Sequence, residues 1–213
     1  MKTVTPRERW QAVFARRTPD RLPMDYWGTD EATASLMKHL GCASKEEALR
    51  KLHVDYVVKV APPYAGPALP PDTDAFGRRF RDVDYEGGSY RECVHNPLAG
   101  FKSVSEIERN FRWPSPDWWD YSVIPGQIRG NESYPIQGGG SEPFLIYKEL
   151  RGDEQSLVDF IENPEIAHYL LDKLFDLAYA DTLRILEQGR GRILLCYVAE
   201  DMGGQTDLMF SPA

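Results

Sequence analysis

A chain of 213 residues, 42% of them hydrophobic, can bury the core of one domain or at most two. With 25 Lys and Arg against 33 Asp and Glu its formal net charge is -8, a field that repels phosphate backbones and anionic lipid, so nucleic acid and membrane surfaces are excluded as expected partners. No apolar stretch approaches the roughly 20 residues of a spanning helix and the start MKTVTPRERW lacks the apolar core of a secretory leader, so the expected compartment is the cytoplasm.

In chain order, Thr5-Pro6-Arg7-Glu8 predicts a capped helix start, with Thr5 as cap, Pro6 in the first turn and Glu8 closing a capping box; the helix should run to about Arg17. Pro19-Asp20-Arg21 interrupts it, and Leu22 to Trp27 reads as a short strand ending at Gly28. Thr29 to Leu40 is helical in pattern. Ser44-Lys45-Glu46-Glu47 opens a helix to Leu52, followed by a β-branched strand over Val54 to Val60. From residue 61 to 100 the periodicity fails among prolines 62, 63, 67, 70 and 71, and the segment reads as an insertion containing a hairpin.

Ser103-Val104-Ser105-Glu106 begins another short helix, and Trp113 to Trp119 is an aromatic connection toward a further one. Tyr134 to Gln137 predicts a third strand, halted by Gly138-Gly139-Gly140. The strongest helix pattern spans Pro164 to about Gln188, with Asn163 as cap, Ile166, Leu170, Leu174 and Leu177 on one face, and Gly189 at its end. The apolar run from Arg192 to Ala199 fits a fourth strand buried on both faces. Strands separated by helices predict a parallel α/β architecture of the (β/α)8 TIM-barrel type. Closing eight strands takes about 250 residues, so residues 1–213 are expected to be the N-terminal portion of a single barrel domain, about four β/α units, or else a natural half-barrel that covers its edges by association as a homo-oligomer.

Thr5-Pro6-Arg7-Glu8-Arg9, Thr18-Pro19-Asp20-Arg21-Leu22-Pro23 and Asp25-Tyr26-Trp27-Gly28 resemble the start of uroporphyrinogen decarboxylase-like proteins. Asp55, Pro62 to Pro67, Asp74 to Gly77, Gly87 to Tyr90 and His95 to Leu98 follow in an order similar to the corrinoid-linked methyltransferase branch, and Glu200-Asp201-Met202-Gly203-Gly204-Gln205 resembles a strand-end motif of the same superfamily. The arginine-rich loop of true porphyrinogen decarboxylases is replaced here by Asp25-Tyr26-Trp27-Gly28, and Pro62-Pro63 stand where their essential aspartate follows the second strand. The resemblance therefore implies methyl transfer from a small methylated substrate, such as a methyl ether or methylated amine, to a corrinoid protein. The corrinoid is expected on a partner, since no Asp-x-His-x-x-Gly motif occurs in this chain, and the zinc ligands of thiol-methylating relatives would fall beyond Ala213.

Sites on such barrels form at strand C-terminal ends. Glu200 and Asp201 are the catalytic candidates on that ground, as neighbouring carboxylates able to protonate a leaving atom; the competing reading is a loop cap and a solvated acid. Tyr64, Gln137 and Gln205 are the substrate-binding candidates, against packing and ordinary loop roles. The glycines at 138–140 lack the spacing of a phosphate loop. Cys93-Val94-His95 supplies only two metal ligands, too few for zinc, so no metal site is expected in this segment. Cys42, Cys93 and Cys196 are too sparse for a disulfide framework, and Cys196 is expected to be a buried hydrophobe. Two other readings remain: a carboxy-lyase acting on a smaller substrate, with Arg78, Arg79 or Arg81 holding its carboxylate, and a non-catalytic binding or assembly module.

Overall fold

The computed structural model describes residues 4–200 and 202–209. Three helices open the chain: α1 (Pro6–Phe14), α2 (Asp30–Leu40) and α3 (Lys45–Lys51). The hydroxyls of Thr5, Thr29 and Ser44 accept from the N–H groups of Glu8, Ala32 and Glu47, and Glu8 closes its capping box by accepting from the Thr5 N–H. A cap of this kind contributes ~1 kcal/mol relative to alanine. α1 stops at Phe14 rather than near Arg17, because the chain turns through Ala15 to a left-handed Arg16 (φ 53°).

β1 (Val58–Val60) follows, then an antiparallel hairpin of β2 (Arg79–Tyr85) and β3 (Gly88–His95), then α4 (Val104–Asn110). Two single 3-10 turns, Pro116–Trp118 and Tyr121–Val123, lead into α5 (Ile124–Ile128) and β4 (Ile136–Gly138). The last elements are α6 (Pro143–Arg151), α7 (Asp153–Glu162) and the long α8 (Pro164–Gly189).

β1 and β4 pair in parallel, with Val58 opposite Ile136, Lys59 opposite Gln137 and Val60 opposite Gly138. Leu195 bridges Gln137, also in parallel, through Leu194 N–H to Ile136 O at 2.8 Å and Gly138 N–H to Leu195 O at 3.1 Å. The arrangement is mixed α/β with a short parallel core, and the described residues do not close a barrel.

Two expected strands are corrected. Leu22 to Trp27 joins no ladder; it is tied to the β1 approach by the Asp55 N–H donating to Met24 O at 2.8 Å and the Val57 N–H donating to Asp25 Oδ1 at 3.3 Å. Pro23 removes one donor, and Leu22 and Trp27 are 77% and 70% exposed, so no packed face holds the segment in register. The run 193–199 shrinks to the single bridge at Leu195, and Tyr197, Val198 and Cys196 are exposed rather than buried. Continuous hydrophobicity signals a two-sided strand only where both faces find partners.

The larger core lies where α6, α7 and α8 meet. Phe144, Tyr147, Leu150, Ile166, Ala167, Leu170 and Leu174 are buried there with Leu98 and Ile107. At its centre the Arg151 guanidinium, 1% exposed, donates to the Asp159 carboxylate at 2.6 Å and to the carbonyls of Leu98 and Phe101. Burial alone would raise the Asp159 carboxyl, but hydrogen bonds from Arg151, Gln155 and Asn163 bring it below the ordinary carboxylate range. Asn163 is thus drawn away from the expected cap: its amide serves Asp159 and no side-chain cap bond starts α8. At the far end of α8 the left-handed position belongs to Arg190 (φ 46°). Gly189 is needed for close approach instead, since a Cβ there would stand 2.4 Å from Ile193 Cγ1.

A smaller core of Val60, Ile124, Ile128 and Ile136 joins the sheet to α5. Near α1, Asp55 is 1% exposed and accepts from Arg9, Arg21 and the Met24 N–H, while Arg9 also donates to Asp20 at 2.7 Å. Arg9, Asp20, Arg21 and Asp55, all within the segments that carry the family resemblance, therefore form one ion cluster fastening α1 to the start of β1. No helix among the described residues is long and apolar enough to cross a membrane.

Candidate active site

β1 and β4 end side by side at Val60 and Gly138, and their continuations separate over α8. The space between is a cavity of about 370 Å³, lined from the sheet by Lys59, Gln137 and Gly138 to Gly140, from α8 by Leu174, Asp181 and Ile185, and closed by Phe76 and Trp119. Alternation along the strands sends Val60 and Gly138 toward the helices and Lys59 and Gln137 to the other face. Gly140 (φ 93°) permits the separation: a Cβ there would lie 1.8 Å from the Tyr197 carbonyl oxygen. Its N–H donates to Thr182 Oγ1 at 2.9 Å, so this amide serves the fold rather than an anion.

Among the described residues Asp181 is the one carboxylate lining this cavity. It accepts from the Tyr121 hydroxyl at 2.7 Å, and burial raises its carboxyl above the ordinary range despite that bond and the nearby Arg184. Burial and the neighbouring Asp181 also push the Tyr121 hydroxyl up, so it remains a donor. A half-buried carboxyl that keeps its proton to higher pH, in a largely apolar cavity at the strand ends, can act as a general acid. The sequence reading passed over Asp181, although a signal exists. Positions 170, 174, 177, 181 and 185 form one helical stripe, apolar except for this acid.

Of the five residues singled out from sequence, the four described do not share one cavity. Gln137 lines the strand-end cavity. Tyr64 lines a second one beneath the hairpin, donates its hydroxyl to the Pro67 carbonyl at 2.8 Å, and meets Trp118 and Trp119 edge-on. The Glu200 carboxylate accepts from the N–H groups of Phe144 at 2.8 Å and Leu145 at 3.3 Å, capping α6, whose own Glu142 makes no side-chain cap. Gln205 is exposed within a turn bridged by Gly203 and Leu208. Asp201 lies outside the described residues.

Among the described residues no three His, Cys, Asp or Glu side chains stand together as a metal site. Burial raises the Cys93 thiol, whose sulfur contacts the Glu149 and His95 carbonyls. On the other face of the sheet, Lys59 Nζ stands 5.4 Å from the Trp27 ring, which meets the Tyr197 ring at 5.8 Å.

No known family profile matches the chain, and no curated protein matches it by sequence. Among solved structures, a methyltransferase from Methanosarcina mazei aligns with 93% of this chain at a TM-score of 0.59 and 16% sequence identity. The chain shares that protein's fold. The likeness is one of fold, and the chain spans 59% of that protein's length.

Proposed function

We propose that this chain is the N-terminal part of a methyltransferase that moves a methyl group from a small methylated substrate to a corrinoid carried on a partner protein. The observation that supports the reading most is the shared fold with the methyltransferase from Methanosarcina mazei over 93% of the chain, joined to a largely apolar cavity at the strand ends lined by Asp181, whose carboxyl burial raises. The corrinoid would supply the nucleophile that accepts the methyl carbon. When the methyl group leaves, the bonding pair stays on its oxygen or nitrogen, and that atom needs a proton. Asp181 is placed to hold one, with Tyr121 fixing its orientation. Gln137 lines the cavity's sheet side, and Phe76 and Trp119 exclude water.

Glu200, Asp201 and Gln205 belong to the same strand-end segment in this reading, and Tyr64 to the substrate approach. Glu200 acts there through its cap on α6, which positions the adjoining wall of the cavity at Ile146. The test is spectroscopic. The intact protein is mixed with a reduced corrinoid acceptor and a panel of methyl ethers and methylated amines, and the methyl-cobalt absorbance is followed. Methylation that requires the protein and falls at least tenfold in D181N supports the reading; CO2 release without methylation favours the carboxy-lyase instead.

A further inference from the structure

The hairpin and the proline-rich loop before it border a second, open cavity of about 610 Å³, which shares Phe76 with the first. Its walls are aromatic and prolyl, with Tyr64, Phe111 and Trp118 among them, and three basic side chains reach it: Arg79, His95 and Arg112. The acid in its lining, Asp74, is already neutralised. Asp74 accepts from the Arg78 side chain at 2.7 Å and from the N–H groups of Phe76 and Arg78.

Three neighbouring arginines in β2 and the turn before it are treated differently by the fold. Arg78 is held by Asp74 and Glu149, and Arg81 by Glu92 at 2.6 Å. Arg79 makes no ion pair among the described residues. It stands across the hairpin from His95, next to a β-bulge. Arg112 likewise has no acidic partner among the described residues; its guanidinium stacks 4.8 Å from the Trp118 ring. Elsewhere Arg9, Arg21, Arg91, Arg151 and Arg184 also find carboxylates, whereas the two arginines at this aromatic cavity keep their charge available to a ligand.

We infer that this second cavity is a binding site for the carboxylate of a small molecule with a flat apolar body, the carboxylate meeting Arg79 and Arg112 and the body lying against Phe111 and Trp118. A planar guanidinium donates two parallel hydrogen bonds to a carboxylate, and Arg112 is already oriented by its stacking on Trp118. The aromatic walls reward a flat apolar body and give a bare inorganic anion nothing. The inference concerns binding alone and does not rest on the methyl-transfer reading, so either can fail without the other.

Calorimetric titration of the full chain with benzoate, its neutral isostere benzamide, and inorganic phosphate tests it. Benzoate should bind at least tenfold more tightly than either of the others. R79Q and R112Q should each weaken benzoate at least fivefold and leave benzamide unchanged. R81Q, which removes the same charge two residues along the strand, should leave benzoate binding as it is, and circular dichroism verifies that all three variants fold. Equal affinity for benzoate and benzamide, phosphate competing as well as benzoate, or an R81Q loss as large as that of R79Q would each overturn the site. So would undetectable benzoate binding by the folded chain at millimolar concentration.

Discussion

Glu200 accepts the backbone N–H of Phe144 at 2.8 Å, so an acid five residues past the Leu195 bridge caps the helix that follows β4. Free N–H groups at a helix start attract a carboxylate by hydrogen bonding and by the helix dipole. E200A should therefore cost about 1 kcal/mol of stability, read as a lower urea midpoint with an unchanged slope. E200Q retains an acceptor and should lose less. If E200Q abolished turnover while stability stayed at the wild-type value, the carboxylate would have a chemical role that the cap does not explain.

Asp181 carries the opposite expectation. Burial raises its carboxyl in the folded state, so the folded chain binds this proton more tightly than the unfolded one. The associated stability is present below the unfolded carboxyl value of 3.8 and is lost as pH rises through the folded one. D181N, neutral throughout and still able to accept from Tyr121, should melt higher than wild type at pH 7 and show less decline from pH 4 to 7. It should also lose methyl transfer at least tenfold. A variant that melts lower yet remains active would remove Asp181 from the site.

The Arg151–Asp159 pair is a structural counterpart. Removing one partner leaves a buried charge unpaired, so R151M should cost about 3–5 kcal/mol, measured by denaturant unfolding. The Asp159 carboxyl is lowered in the fold, hence its contribution is present above the unfolded value of 3.8 and is lost as pH falls through the folded value. The melting temperature of wild type should drop steeply below pH 4. A flat acid profile would show that Asp159 gains nothing from its donors.

The open parallel core predicts association. Trp27 and Val198 are 70% and 67% exposed, Leu208 is 60% exposed, and the Leu195 segment pairs with β4 through a single bridge. Apolar surface beside unpaired backbone groups is a template for another chain. Sedimentation of the 213-residue chain should show dimers or larger species, and a monomer at all concentrations would contradict this.

Local signals were legible in the sequence where the physics is local. The capping residues Thr5, Thr29, Ser44 and Ser103 act within three residues, and each start is found where the pattern puts it. The strands expected over 54–60 and 134–137 are found at 58–60 and 136–138, and their parallel pairing agrees with the alternation of strands and helices. α6 and α7 went unread because the helical segment from 143 to 162 is divided by Gly152, although Pro143 at a first turn and Asp153-Glu154 after the glycine were visible signals. Site residues were harder, since their meaning depends on distant partners. Glu200 finds a helix start 56 residues away, and Arg79 differs from Arg78 and Arg81 only in that no carboxylate reaches it.

Transfer of an isotopically labelled methyl group tests the central claim most directly. The intact protein, a corrinoid acceptor and a substrate bearing a 13C-labelled methyl group are incubated together, and the label is located by NMR. The label should appear on cobalt at a rate that requires the protein and drops at least tenfold in D181N. Label that stays on the substrate while its carboxylate leaves as CO2 would contradict methyl transfer and identify a carboxy-lyase.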